Sequence, residues 1–123
     1  MLQKESRIKL ADNSGARELL VIAVPGKGAK KYASLGDIVF AVVKGAISTS
    51  GMEDGSRVHA VVVRTAKEVR RKDGSYIRFD DNAAVVINNA TKEPIGTRVL
   101  GPIAREVKEK GFNKVASLAK EVW

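Results

Sequence analysis

Basic side chains surround one Asp-Gly dipeptide in the middle of the chain, and together they could neutralise a polyanion. The dipeptide is Asp73-Gly74, and the six flanking cations are Arg64, Lys67, Arg70, Arg71, Lys72 and Arg78. Asp-Gly between two extended segments predicts a β-hairpin with a type I′ turn, because that turn needs positive φ at its central residues. Such a hairpin would crowd Arg70, Arg71, Lys72 and Arg78 at its tip, where a phosphate backbone would relieve their repulsion. A solvated surface hairpin is the alternative.

Short strands dominate the first two thirds of the chain. Segments rich in Val and Ile, separated by turn residues, predict strands over 6–10, 19–24, 38–43, 58–65, 76–79 and 83–87. Strands of this length, with no long helical pattern between them, are typical of a small barrel or a sandwich. We expect Val42, Val61, Val63 and Val85 to form the apolar interior of a closed barrel.

The last quarter of the chain has helical periodicity. Pro102 could stand at the first helical position, and Gly111 would end that helix. A second short helix is predicted over 112–119, with Phe112, Val115 and Leu118 on its apolar side. The sequence therefore predicts one domain over 1–123, mainly β, with two short helices at about 102–120.

Composition excludes several classes of function. The formal net charge of +8 indicates nucleic acid as a partner, and the absence of Cys excludes disulfides, thiolate catalysis and zinc ribbons. The apolar runs are too short to span a bilayer and none resembles a signal peptide, so we expect a soluble chain with no membrane partner. Aromatic residues make up only 5% of the chain. Structured RNA therefore suits it better than a single strand that stacks on aromatic rings.

Other candidate sites are weaker. His59 is the only histidine, and without a nucleophile-elbow motif around a serine, a small hydrolase built on it is disfavoured against a structural histidine. The glycine-rich loop at 26–31 lacks the Gly-Lys-Ser/Thr ending of a nucleotide-binding loop, but its lysines could contact phosphates. The acidic pairs at 53–54 and 80–81 lack EF-hand spacing and suit strand-end turns. No cofactor, metal site or small-molecule substrate is expected.

Several gapped motifs in this order resemble the family of the universal large-subunit ribosomal protein fourteen. One begins with Ala60-Val61-Val62-Val63, continues after nine residues with Asp73-Gly74, and ends with Phe79, Asn82 and Val85-Val86. The segments 11–17, 70–77 and 96–106 resemble the same family. The resemblance covers essentially the whole chain. The sequence is similar to the bacterial or organellar branch of the family, in which a residue such as Trp123 is unusual.

The resemblance implies a fold, a function and a set of partners. The fold would be a five-stranded closed β-barrel followed by two short helices. The protein would be a structural, non-enzymatic constituent of the large subunit in cytoplasmic or organellar ribosomes. Its partners would be large-subunit ribosomal RNA, small-subunit RNA at intersubunit bridges, the neighbouring large-subunit protein nineteen, and the ribosome silencing factor. A free RNA-binding regulatory or chaperone barrel outside the ribosome is the alternative.

Charge, loop position and the resemblance together select the candidate site residues. The candidate RNA-binding residues are Lys9, Asn13, Ser14, Arg17, Lys27, Lys30, Lys31, Lys44, Arg64, Arg70, Arg71, Lys72 and Arg78. The candidate partner-binding residues, which the resemblance would place on the face toward the small subunit, are Thr97, Arg98, Arg105 and Lys114.

Overall fold

The computed structural model describes residues 6–13, 15, 17–24, 32–45 and 54–123. This part of the chain is mainly β, with two short helices near its end. The elements are β1 (Arg7–Leu10), β2 (Glu18–Ala23), β3 (Ile38–Lys44), β4 (Arg57–Arg64), β5 (Val69–Arg70), β6 (Tyr76–Ile77), β7 (Ala83–Asn88), β8 (Glu93–Pro94), α1 (Arg105–Glu109) and α2 (Asn113–Leu118). The five longer strands agree with the predicted ones to within one residue at each end. β6 is two residues shorter than the predicted strand 76–79, and β5 and β8 have no counterpart among the predicted strands.

Five strands pair in a ring. The order is β1-β2-β3-β4-β7, and a parallel pairing of β1 with β7 joins the two ends. The other four pairings in the ring are antiparallel. β8 adds to the outside of β7, and β5 with β6 forms a separate two-stranded sheet. Each ring strand therefore has two neighbours, which removes the unpaired edges that Val-rich strands would otherwise expose.

The ring separates two apolar clusters. The inner cluster takes side chains from all five ring strands, and its members are Ile8, Leu19, Val21, Ala33, Val39, Ala41, Val43, Ala60, Val62, Ala84 and Val86. The outer cluster lies between β4, β7 and the C-terminal helices, and includes Val61, Val63, Val85, Ile103, Val107, Phe112 and Val115. β4 and β7 are thus buried on both faces, which explains their continuous apolar sequences.

The prediction of which residues fill the interior of the ring is wrong, because it chose the opposite face of each strand. Val61, Val63 and Val85 are fully buried, but they pack beneath the helices and not inside the ring. Val42 is only half-buried, whereas its neighbours Ala41 and Val43 both belong to the inner cluster. A strand whose residues are all apolar gives no alternation from which the inward face could be chosen.

The first helix begins later than predicted. Ala104 is extended, with φ −78° and ψ 144°, and α1 starts only at Arg105, so Pro102 is not its first residue. Ile103 instead forms a parallel bridge with Val122, a pairing between distant residues that local sequence does not reveal. Gly111, at φ 96°, follows the end of α1 as predicted. No helix in the described ranges is long and apolar enough to cross a membrane.

The basic hairpin exists, but its turn differs from the prediction. β5 pairs with β6 through Val69↔Ile77 and Arg70↔Tyr76. Gly74 has φ 89°, whereas Asp73 is not among the described residues with positive φ, so the turn is not type I′. The amide of Gly74 donates to the Arg71 carbonyl at 3.0 Å, and the Arg71 amide donates to the Ser75 carbonyl at 2.7 Å. These bonds fit a three-residue loop that ends in a glycine bulge.

Candidate nucleic-acid interface

Arg70 and Lys72 are the cations that the hairpin presents to solvent. Both side chains are exposed, and neither forms an ion pair with another residue of the described ranges. Asp73 lies between Lys72 and the glycine bulge, and hydrogen bonds from the Ser75 hydroxyl and amide hold the pKa of its carboxyl below the ordinary value of 3.8. The charges of Arg105 and Arg71 lower the pKa further. The Asp73 carboxylate therefore belongs to the turn itself and leaves its cationic neighbours available to a partner.

Arg71 differs from its neighbours because its guanidinium is used inside the molecule. Its Nη2 lies 2.8 Å from Glu106 Oε1, and its Nε lies 3.3 Å from Glu106 Oε2. Nη2 also donates to the main-chain oxygen of Trp123 at 2.5 Å. Only 15% of the Arg71 side chain is exposed. A guanidinium with its donors occupied in this way has little capacity left for a phosphate.

Arg64, at the end of β4, is held even more completely. Its Nε donates to Asp81 Oδ1 at 3.0 Å, and its Nη1 donates to the carbonyls of Leu100 and Pro102 at 2.7 and 3.2 Å. Its side chain is 11% exposed. Arg64 therefore fastens the 100–102 segment to the sheet, and this role is structural. Its predicted contact with RNA stays a prediction.

Arg78 and Lys9 lie near Asp81, away from the tip of the hairpin. Arg78 lines a shallow hollow with Arg64, Phe79 and Asp81, and the Lys9 ammonium is 4.0 Å from Asp81 Oδ2. The expected crowding of Arg78 at the tip is therefore wrong, since the opposite arm leaves the two-stranded sheet before Arg78. The acidic pair at 80–81 lies in a bend shortly before β7, as expected for a strand-end turn, and Asp81 binds Arg64.

A second hollow separates the hairpin tip from α1. Its charged lining residues are Asp37, Arg70, Arg71, Lys72, Asp73, Arg105, Glu106, Glu109 and Lys110. Arg105 is exposed and lies here beside the hairpin. It was predicted to contact a partner together with Thr97 and Arg98, but the structure groups it with the candidate RNA-binding cations.

Asn13 joins the two candidate surfaces that the sequence kept apart. Its Oδ1 accepts from the amides of Thr97 and Arg98 at 2.8 and 3.0 Å, and its Nδ2 donates to Thr97 Oγ1 at 2.8 Å. Thr97 and Arg98 are exposed on this turn. Lys114, on α2, binds Glu93 of β8 at 2.7 Å, a few residues before the same turn. Asn13, Thr97 and Arg98 thus form one region, hereafter the 97–98 surface, whereas the contact shown for Lys114 is with Glu93 of β8.

The remaining candidates fall at strand ends or outside the described residues. Lys44 is exposed opposite Glu18 in the sheet, and the Arg17 side chain lies against Gly45, next to Lys44. These two cations therefore share one place at the ends of β2 and β3. Ser14, Lys27, Lys30 and Lys31 lie outside the described residues.

His59 packs against a neighbouring aromatic ring, as a structural histidine would. It is half-buried on the outer face of β4, and its ring lies 4.8 Å from that of Phe40 at 40°. Among the described residues no group of three or more His, Cys, Asp or Glu side chains could hold a metal ion.

Sequence reasoning missed the internal partners of the two held arginines. Arg71 is bonded to Glu106 and the main chain of Trp123. Arg64 is bonded to Asp81 and to the carbonyls of Leu100 and Pro102. These partners lie 17 to 52 residues away along the chain. No local pattern announces a contact at such a separation. Only an excess of arginines over expected phosphate contacts could have suggested it.

Comparison with known proteins covers the whole chain. The family described as Ribosomal protein L14p/L23e matches residues 1–123. A curated relative, the Large ribosomal subunit protein uL14 of Petrotoga mobilis (strain DSM 10674 / SJ95), is 58% identical over 123 residues, which are 100% of both chains. The resemblance seen in the motifs is therefore confirmed: this chain belongs to the ribosomal protein L14p/L23e family, a family of ribosomal proteins and not of enzymes.

Proposed function

We propose that this protein, a structural component of the large subunit of the cytoplasmic ribosome, binds large-subunit ribosomal RNA through its basic hairpin. The observation that carries the proposal is the exposure of Arg70 and Lys72 on a turn whose other charged groups are already bonded within the protein. Two exposed cations two residues apart, with no carboxylate partner among the described residues, suit phosphate oxygens. Lys9, Arg17, Lys44, Arg78 and Arg105 are further exposed cations for the same RNA.

The salt dependence of binding tests this proposal. Each phosphate that a cation neutralises contributes about 0.7 to 0.9 to the slope of log K against log salt. Arg70→Ala with Lys72→Ala should therefore flatten the slope by about 1.4 to 1.8 on protein-free large-subunit RNA. Lys108→Ala with Lys120→Ala removes the same charge from exposed positions elsewhere and serves as the control. Equal slopes for the two double variants would refute a specific role for the hairpin.

The 97–98 surface is proposed as the docking site for the protein partners, the ribosome silencing factor and the neighbouring protein nineteen. What supports this is that Asn13 fixes the turn through three hydrogen bonds, so that Thr97 and Arg98 are presented in one conformation. A preorganised turn loses little entropy when it binds. Arg98→Ala with Lys114→Ala should weaken silencing-factor binding by about tenfold or more, and an unchanged affinity would remove this surface from the proposal.

Bridges to the small-subunit RNA and a closed-barrel architecture complete the proposal. The ring supports a barrel because the Lys9 amide donates to the Asn82 carbonyl at 3.1 Å and the Ala11 amide to the Ala84 carbonyl at 2.8 Å. A closed barrel should protect both amides from hydrogen exchange as strongly as those of β3, whereas rapid exchange would indicate an open sheet.

Retention with large subunits through a sucrose gradient at moderate salt would distinguish a ribosomal component from a free RNA-binding regulator or chaperone.

A further inference from the structure

Arg71 occupies an unusual position for a candidate phosphate ligand. It lies between the exposed cations Arg70 and Lys72, yet its guanidinium faces inward onto α1. Glu106, its carboxylate partner, is 18% exposed, so both members of the pair are largely shielded from solvent. A fork-shaped guanidinium facing a carboxylate through two donors fixes orientation as well as distance.

The pairing between the two arms of the hairpin is short. β5 and β6 are paired through only two residue pairs and form a sheet separate from the ring. A two-stranded hairpin of this size is marginal by itself in water. The main chain of Arg71 closes the loop through Gly74 and Ser75, while its side chain is bonded to α1. One residue therefore links the geometry of the loop to the body of the protein.

The end of the chain is part of the same arrangement. The Trp123 amide donates to the Ile103 carbonyl at 2.8 Å, and the Trp123 oxygen accepts from Arg71. The Trp123 indole donates to Glu121 Oε2 at 3.0 Å, although the residue is 59% exposed. Hairpin, α1 and chain end thus meet at one guanidinium, which gives Trp123 a structural role.

We infer that Arg71 and Glu106 form a clamp that positions the hairpin, so that Arg71 promotes RNA binding by directing Arg70 and Lys72 and not by contacting phosphate itself. This inference rests on the proposed RNA-binding function. The inference and simple electrostatics predict opposite changes in RNA affinity when the charge of Glu106 is removed. Removing the negative charge of Glu106 would strengthen binding to a polyanion if Arg71 were a phosphate ligand released from its partner. If the pair is a clamp, the same change weakens binding.

The test compares two substitutions on the same helix. Glu106→Gln breaks the clamp, whereas Glu109→Gln removes the same charge from an exposed residue that lines the same hollow and forms no ion pair within the described ranges. Binding to protein-free large-subunit RNA is measured at several salt concentrations. We expect Glu106→Gln to bind about fivefold or more weakly than Glu109→Gln at equal salt. Equal or tighter binding by Glu106→Gln would overturn the clamp.

Arg71→Lys provides a second variant that preserves the charge. Lysine is a point charge that cannot reproduce the fork with Glu106 and the bond to Trp123, so the clamp predicts weaker RNA binding. A contact to phosphate that depends only on the positive charge would tolerate this change. Exchanging the charges, with Arg71→Glu and Glu106→Arg together, should recover part of the affinity lost in either single variant. Failure of both expectations would indicate that Arg71 is itself a phosphate ligand.

The chain's single tryptophan gives a readout independent of RNA. Loss of the clamp should release the chain end and increase acrylamide quenching of Trp123 fluorescence in Arg71→Lys and Glu106→Gln. Glu109→Gln should quench like the unsubstituted chain, and equal quenching in all variants would count against the clamp. If the unsubstituted chain does not bind the RNA, the proposed function fails, while quenching still decides whether the clamp exists.

Discussion

Replacing Gly101 by Ala should destabilise the protein by displacing Arg64. Gly101 has φ 78°, a conformation that costs an L-residue about 1 to 2 kcal/mol. An alanine Cβ at this position would overlap the Nη1 of Arg64, the atom that donates to the carbonyls of Leu100 and Pro102. Disrupting these charge-assisted bonds adds about 1.5 to 3 kcal/mol. We therefore expect the free energy of unfolding to fall by about 2.5 to 5 kcal/mol.

Urea denaturation measures this loss, and a second glycine supplies the control. Gly111 has φ 96°, but no atom lies within 4 Å of an added Cβ, so Gly111→Ala should lose only the conformational part, about 1 to 2 kcal/mol. In an Arg64→Ala background, the excess loss at Gly101 should disappear, because the overlapping group is gone. If Gly101→Ala and Gly111→Ala lose the same stability to within about 0.5 kcal/mol, Arg64 does not hold the 100–102 segment as described.

Three further substitutions test the core, the turn and the 97–98 surface. Val63→Asp buries an unpaired charge beneath the helices and should lower the free energy of unfolding by about 4 kcal/mol or more, measured by thermal unfolding. Val42→Asp, at a half-buried position, should lose far less stability. Similar losses in the two variants would contradict the two-sided burial of β4. Ser75→Ala should raise the pKa of Asp73 toward 3.8 in an NMR titration. Since the folded carboxyl has the lower pKa, its stabilising effect is present at neutral pH and is lost as the pH falls through that pKa, and an unchanged pKa would refute the role of the hydroxyl. Asn13→Ala should accelerate hydrogen exchange of the two amides that it accepts from, and unchanged exchange would show that the turn is rigid without it.

Local patterns in the sequence were sufficient for the five longer strands and for the end of the first helix. The strand bounds followed from Val- and Ile-rich segments between turn residues, and Gly111 was predicted to end the first helix because a left-handed residue there favours glycine. The gapped motif from Ala60 to Val86 indicated the family because many positions had to agree in one order. Each of these inferences depends on residues close together in the chain, or on a pattern of fixed spacing.

The tertiary structure alone decided which face of β4 is interior and which arginines are free. Val61 and Ala60 are both apolar, so only the packing of the C-terminal helices over one face distinguishes the inner cluster from the outer one. Arg70 and Arg71 are identical and adjacent in sequence. One is exposed, whereas the other meets Glu106, 35 residues further along the chain. Composition therefore determined how much positive charge the protein carries, while the long-range contacts of folding determined how much of it a phosphate backbone can reach.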